Sequence, residues 1–107
     1  MRELLEELYE MDYKTYEEIY NTLRHFEISP DRGGAIVNDL IQGCIQRAIA
    51  ARGWAWMTKL HFSCTYNAEI YWKTGKTWKN HGGIAHFGDS PAKAILSVYL
   101  AAIRSQP

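Results

Sequence analysis

Apolar residues in the first half of the chain recur every three or four positions, which is typical of helices. Residues 2–11 have leucines on one face and glutamates on the other, and we expect Asp12 to cap a second helix that extends to about Phe26. A third helix is expected from about Gly34 to Arg52, and Gly53 is expected to end it. The inner faces predicted for the second and third helices are Tyr16, Ile19, Tyr20, Leu23 and Phe26, and Val37, Leu40, Ile41, Cys44, Ile45, Ala48 and Ile49.

After Gly53 the apolar period shortens to two, which predicts half-buried strands. The first two strands are expected over residues 54–64 and 66–72, paired antiparallel. A turn at Thr74-Gly75-Lys76 leads to a weaker third strand over residues 77–87, which Gly82-Gly83 interrupts. The predicted inward residues are Trp54, Trp56, Leu60, Phe62 and Cys64 in the first strand, and Tyr66, Ala68, Ile70 and Trp72 in the second.

The sequence Gly88-Asp89-Ser90-Pro91 predicts the start of a last helix, with Asp89 or Ser90 as the cap and Pro91 in the first turn. This helix is expected to run to about Arg104 and is apolar almost all round, so it is either buried or part of a homodimer interface. The predicted fold class is therefore α+β, with a three-stranded antiparallel β-meander packed with helices in the order α-α-α-β-β-β-α, as a layered α/β sandwich. We expect one domain over residues 1–107, with an acidic helical pair at 1–28 that precedes a core at 34–105.

The formal net charge of zero over 107 residues argues against both a generic DNA coat protein and a strongly acidic DNA mimic. The charge is unevenly divided, because residues 1–53 have six Lys/Arg and ten Asp/Glu, whereas residues 54–107 have six and two. Either the two halves attract each other, within one chain or across a dimer, or one half presents a charged binding face. Two cysteines and no apolar run of 18 residues predict buried thiols, no membrane partner and a reducing cytoplasm.

The residues with catalytic potential lack the partners that catalysis needs. His81 and His86 flank a glycine pair, but a zinc site needs more ligands, and an oxyanion loop would need a nucleophile motif that the sequence lacks. The segment Asp31-Arg32-Gly33-Gly34 precedes a helix and could hold a phosphate, yet the Lys-Ser/Thr of a Walker motif is missing. Ser90 is explained by capping. We therefore favour solvated histidines and a plain loop, and expect no enzyme activity and no cofactor.

The strongest binding signal is the segment 72–81, where three lysines and two tryptophans surround a hairpin turn. Lysines attract phosphate or an acidic surface, and tryptophan rings can stack on bases. The alternative is a solvated turn with its tryptophans in the core, and Trp72 is in phase with Ile70. The predicted binding residues are Lys73, Lys76, Trp78, Lys79, His81 and His86. The glutamates of the first two helices could meet a basic partner, although such a run is more often a solvated face: Glu3, Glu6, Glu7, Glu10, Glu17 and Glu18.

Residues 48–104 resemble the phage ABA-sandwich domain family. The resemblance rests on three segments: Arg52-Gly53-Trp54, Tyr66-Asn67-Ala68-Glu69-Ile70, and Gly88-Asp89-Ser90-Pro91-Ala92-Lys93-Ala94-Ile95 running into Tyr99-Leu100-Ala101-Ala102. It implies an α-β-α layered fold and a phage or prophage origin, but no established activity. On this basis we expect a non-enzymatic phage protein that binds and inhibits a host component in the bacterial cytoplasm, such as a CRISPR-Cas defence complex. The alternatives are a binder of nucleic acid or of a nucleotide signal, and a small hydrolase.

Overall fold

The described part of the chain forms four helices and a small antiparallel sheet, which confirms the predicted α+β class. A computed structural model describes residues 1–29, 34–60, 65–74, 77–80 and 86–105, and for residues 73, 74, 77–80 and 86 it describes the backbone. The elements are α1 (Arg2–Met11), α2 (Tyr13–His25), α3 (Ala35–Ala51), β1 (Ala55–Leu60), β2 (Tyr66–Thr74), β3 (Thr77–Asn80), β4 (His86–Gly88) and α4 (Pro91–Ser105). No helix in these described ranges has the length and apolar character needed to cross a bilayer.

The helix ends lie where capping chemistry predicts them. The backbone N–H of Thr15 donates to the Asp12 carboxylate at 3.3 Å, which starts α2. The N–H of Lys93 donates to the Ser90 hydroxyl at 3.2 Å, which starts α4. Gly53 follows α3 with a φ of 76°, a left-handed conformation that favours glycine. These three positions were predicted from the sequence and are confirmed.

Two short strands occupy the place of the predicted third strand. On one edge of β2, β1 pairs without interruption from Ala55 opposite Tyr71 to Leu60 opposite Tyr66. On the other edge, β3 pairs with residues 71–74 and β4 pairs with residues 66–68. Five residues, 81–85, therefore lie between β3 and β4, whereas only two residues of β2 lie between the positions that pair with these strands. The predicted third strand is thus interrupted in the region that Gly82-Gly83 indicated. Residues 81–85 themselves lie outside the described residues.

Helix α4 is the centre of a single core. It packs against α1, α3 and the sheet, and nine of its fifteen residues are buried. The N-terminal helices belong to the same core through Leu5, Leu8, Ile19 and Leu23. The apolar side chains all round α4 are thus covered within one chain. Helix α4 by itself therefore gives no reason to expect a dimer.

Several residues predicted to face inward are exposed. The buried residues of α2 are Thr15, Ile19 and Leu23, whereas Tyr20 and Phe26 are 42% and 57% exposed. Phe26 comes after the last turn of α2, where the chain leaves the helix. The prediction for β1 was also wrong, because Trp56 and Leu60 are 37% and 65% exposed. Among the described strands β1 lies at an edge of the sheet, and α4 makes most of its sheet contacts with β2 and β4 instead. Phe62 and Cys64 lie outside the described residues.

Candidate functional site

The predicted basic hairpin is present as a pair of antiparallel strands. Its register places Lys73 opposite Trp78 and Trp72 opposite Lys79. The ring of Trp72 lies 6.3 Å from that of Trp54 and is half-buried, so it packs against its own chain as its phase with Ile70 predicted. Lys76, like His81, lies outside the described residues.

The backbone does not bring His86 to the hairpin. His86 pairs with Ala68, whereas Trp78 pairs with Lys73, five residues further along β2. At about 3.4 Å per residue, these two pairs lie roughly 17 Å apart along the sheet. The residues predicted for one binding site are therefore spread along much of the length of β2.

The acidic residues of α1 and α2 divide into two groups. Glu7 pairs with Arg104 of α4, and Glu18 pairs with Arg47 of α3 at 3.0 Å, so these carboxylates attach the helical pair to the rest of the domain. Within the described part of the chain, the one ion pair of Glu6 is an exposed contact of 3.8 Å with Arg2 on the same helix. The others, namely Glu3, Glu10 and Glu17, are exposed and form no ion pair within the described residues. Part of the acidic run is thus structural, and part is available to a partner.

Four tyrosines form a row across the same two helices. The Tyr9 ring at the end of α1 lies 5.2 Å from Tyr13 and 5.1 Å from Tyr16, in edge-to-face contact with each. Tyr16 stacks on Tyr20 at 5.9 Å, and the Arg24 guanidinium lies 5.4 Å from the Tyr20 ring centre. Aromatic pairs at these separations hold each other in place. The row therefore presents ordered rings to solvent.

Three of these tyrosines are strongly exposed, Tyr9 at 49%, Tyr13 at 54% and Tyr20 at 42%. Glu10 follows Tyr9 in the sequence, and Glu17 lies four residues after Tyr13 and three before Tyr20, on the same face of α2. We call the surface formed by Tyr9, Tyr13, Tyr20, Glu10 and Glu17 the tyrosine–carboxylate surface. It combines apolar area, phenol hydroxyls and carboxylates that form no ion pair within the described residues.

A groove of about 760 Å³ adjoins this surface. Its lining includes Tyr16 and Tyr20 together with the apolar residues Leu5, Ile19 and Leu23. Two ion pairs also line it, one between Arg2 and Glu6 and one between Lys93 and Asp89 at 3.2 Å. The groove is large enough to receive a partner side chain beside the tyrosine row.

A cluster of polar side chains connects the N-terminal helical pair to the last helix. The Tyr99 hydroxyl donates to Asp12 at 2.5 Å, and the Thr15 hydroxyl donates to the same oxygen at 2.6 Å. Arg52 donates to the Tyr99 oxygen at 3.1 Å, and its guanidinium lies 5.3 Å from the ring centre of Trp54. The cluster thus joins α1, α2, α3 and α4.

The protonation states of this cluster suit a structural role. Burial disfavours the Asp12 carboxylate, but hydrogen bonds from Thr15 and Tyr99, and the charge of Arg52, outweigh burial and lower its pKa. Burial, together with the hydrogen bond to Asp12, raises the pKa of the Tyr99 phenol. Asp12 stays ionised and Tyr99 stays neutral, so the pair is a fixed donor and acceptor. Ser90 is likewise engaged in capping α4.

Sequence reasoning found the acidic face but missed the tyrosine row. It placed Tyr16 and Tyr20 inside and gave no role to Tyr9 or Tyr13. Part of the signal was present, because Tyr13, Tyr16 and Tyr20 are spaced by three and four residues, which puts them on one side of α2. The position of Tyr9, on α1, depends on how the chain turns at Asp12. Among the described residues, no group of three His, Cys, Asp or Glu side chains is close enough together to hold a metal ion.

The fold and this surface define a small α+β domain whose N-terminal helices present an ordered aromatic and acidic face. No family model, curated protein or solved structure matches the chain. The resemblance to the phage ABA-sandwich family therefore rests on the sequence segments quoted above.

Proposed function

We propose that this chain is a non-enzymatic interaction protein that binds a basic surface of a partner protein through its tyrosine–carboxylate surface. One observation carries the proposal. Three exposed tyrosines are held in ring contact beside carboxylates that form no ion pair within the described residues. Tyrosine and arginine are the residues on which protein interfaces most often depend for affinity, and this surface offers tyrosines to a partner's arginines.

The order within the row favours binding. A tyrosine loses little conformational entropy when it is immobilised, and these rings already touch one another before any partner arrives. Glu10 and Glu17 would attract a cationic surface, which raises the association rate and rejects acidic partners. The adjoining groove, whose lining includes Leu5, would accept the stem of an arginine or lysine side chain.

The resemblance to a phage family supplies the biological setting of the proposal. A small phage protein of this kind would act in the host cytoplasm, where it binds and inhibits a host component. Nucleic-acid-binding effectors have basic surfaces, so a CRISPR-Cas defence complex is the first partner to test.

The alternative is that the chain binds nucleic acid or a nucleotide through the segment 72–81. The observation that favours it is the strand register, which puts a lysine position opposite each tryptophan position: Lys73 faces Trp78, and Lys79 faces Trp72. Binding of this kind would weaken steeply as salt is raised, because each phosphate contact releases counterions.

Two matched variants separate the proposals. The full chain is immobilised and used to capture partners from a bacterial host lysate. A double variant of the helices, Tyr9→Ala with Tyr13→Ala, is compared with a double variant of the hairpin, Lys73→Ala with Lys79→Ala. We expect a basic protein to be captured by the native chain and by the hairpin variant, and its affinity to fall about tenfold or more in the tyrosine variant. Capture of nucleic acid that only the hairpin variant loses would contradict the proposal and support the alternative.

A further inference from the structure

We propose that the free edge of β1 is the site at which a second copy of this chain adds its own β1, antiparallel, so that two sheets become one. β1 pairs with β2 along one side. Along its other side, no strand of the described residues pairs with it. The N–H and C=O groups on the open side of an edge strand can form a ladder with another strand.

This edge lacks the features with which proteins protect exposed strands. Its pairing with β2 is unbroken for six residues, so no bulge twists it away from a partner strand. It contains no proline, and Lys59 is its only charged residue. Long, regular and weakly charged edges are the ones that pair with further strands.

The same strand exposes large apolar side chains. Trp56 is 37% exposed, Met57 is 36% exposed and Leu60 is 65% exposed. Trp56 and Leu60 lie on the face of the sheet that carries the buried Ala68 and Ile70, since they pair with Ile70 and Tyr66. They extend this inner face beyond the helices that cover β2.

The sequence of the strand favours a second copy as its occupant. Antiparallel pairing centred on Thr58 puts Trp56 of each copy opposite Leu60 of the other, and Met57 opposite Lys59. Both apolar side chains of the inner face then gain an apolar neighbour, and no two lysines face each other. In this register, even-numbered residues lie opposite even-numbered residues, so directly opposed side chains are on the same face of the joined sheet. The helices of both copies therefore lie on the same side of it.

This inference does not depend on the proposed function. The helices that contact β1 are chiefly α3 and α4, whereas the tyrosine–carboxylate surface lies on α1 and α2. A dimer of this geometry would present that surface twice, and binding to a repeated target would gain avidity.

Oligomeric state tests the pairing. Sedimentation velocity of the native chain over a range of concentrations should show a dimer. Leu60→Lys should convert it to a monomer, because the lysine would replace the apolar contact with Trp56 of the second copy. Ile36→Lys is the matched control, since Ile36 is 66% exposed but lies in the first turn of α3, and it should remain dimeric. A native chain that is monomeric at high micromolar concentration, or a Leu60→Lys variant as dimeric as the native chain, would overturn the inference.

Charge exchange and cross-linking test the register. Trp56→Glu combined with Leu60→Lys puts opposite charges on directly opposed residues of the two copies, and it should restore the dimer that Leu60→Lys alone loses. Thr58→Cys should form a disulfide with its own copy in a Cys64→Ser background, since directly opposed residues have Cα atoms about 4.5–5.5 Å apart. Ile36→Cys in the same background should not. A dimer that persists without the Thr58→Cys cross-link would place the interface elsewhere and overturn the inference.

Discussion

The phenol of Tyr99, in the middle of the last helix, donates a 2.5 Å hydrogen bond to Asp12, which lies 87 positions earlier in the sequence. Asp12 also caps α2, so one carboxylate both starts a helix and attaches it to the core. The acidic helical pair is thereby held in a fixed position relative to α4. The surface that we propose for partner binding depends on this connection for its orientation.

Loss of the Asp12–Tyr99 hydrogen bond should destabilise the domain. Tyr99→Phe removes the donor and should lower the free energy of unfolding by about 1–2 kcal/mol. Asp12→Ala should cost more, about 2–3 kcal/mol, because it also removes the cap of α2. Urea unfolding of both variants and the double variant checks this. Coupling of about 0.5 kcal/mol or more between the two changes is expected, whereas strict additivity would show that the two groups do not interact.

Acid should weaken the same connection. Because the folded state lowers the pKa of Asp12 below 3.8, its contribution is present above the unfolded pKa and is lost as the pH falls through the folded pKa. Asp12→Asn should thus be less stable than the native chain at neutral pH, and the difference should shrink as the pH falls below about 3.8. Urea midpoints measured at several pH values give this comparison. A difference that does not change with pH would mean that the Asp12 charge contributes nothing.

Much of the fold could be predicted because its signals are local. The caps at Asp12 and Ser90, and the turn at Gly53, follow from the chemistry of single residues. The burial of α4 followed from its apolar circumference. The sequence does not show how far the helix layer extends over the sheet, and for this reason the prediction that Trp56 and Leu60 face the core was wrong. That outcome depends on tertiary packing, which the alternation of residues within β1 does not encode.

The candidate site was less predictable than the fold. Lysines and tryptophans around a turn are a visible signal, and this drew attention to the segment 72–81. The tyrosine row needs Tyr9 of one helix to meet Tyr13 and Tyr16 of the next, and that contact depends on the angle that the chain adopts at Asp12. Spacing alone places Tyr13, Tyr16 and Tyr20 on one side of α2, but only the packed helices show that the rings touch Tyr9 and remain exposed.

The end of α2 offers a stabilising substitution. Glu27 has a φ of 56°, and the N–H of Ile28 donates to the Leu23 carbonyl at 2.9 Å, as in a helix end that glycine normally forms. A non-glycine residue in this conformation costs roughly 1 kcal/mol. Glu27→Gly should therefore raise the free energy of unfolding by about 1 kcal/mol, and Glu27→Ala, which keeps the steric cost, should not. Equal effects of the two changes in thermal unfolding would show that the conformation of this residue is not the cause.

Two glycine-to-alanine changes should have opposite signs. A Cβ on Gly88 would lie 2.8 Å from the backbone nitrogen of Ala94 and 2.9 Å from the Cβ of Lys93, so β4 would have to move away from α4. Gly88→Ala should cost about 1–3 kcal/mol. Gly43 lies within α3, where a Cβ would meet only the end of the Arg47 side chain at 3.5 Å. Gly43→Ala should stabilise the helix by roughly 0.5–1 kcal/mol, and chemical denaturation of the two variants gives both values. A neutral Gly88→Ala would contradict the close approach of α4 to β4.

Site-specific photo-cross-linking in a bacterial host lysate tests the central claim most directly. A benzoylphenylalanine is placed at Tyr13 in one protein and at Phe87 in another. These side chains are exposed to a similar degree, at 54% and 58%, but Phe87 lies in β4, which pairs with β2 and packs against α4. We expect a cross-link to a basic protein from position 13, reduced by Tyr9→Ala and absent from position 87. Cross-links from position 87 alone, or equal cross-links from both positions, would contradict it.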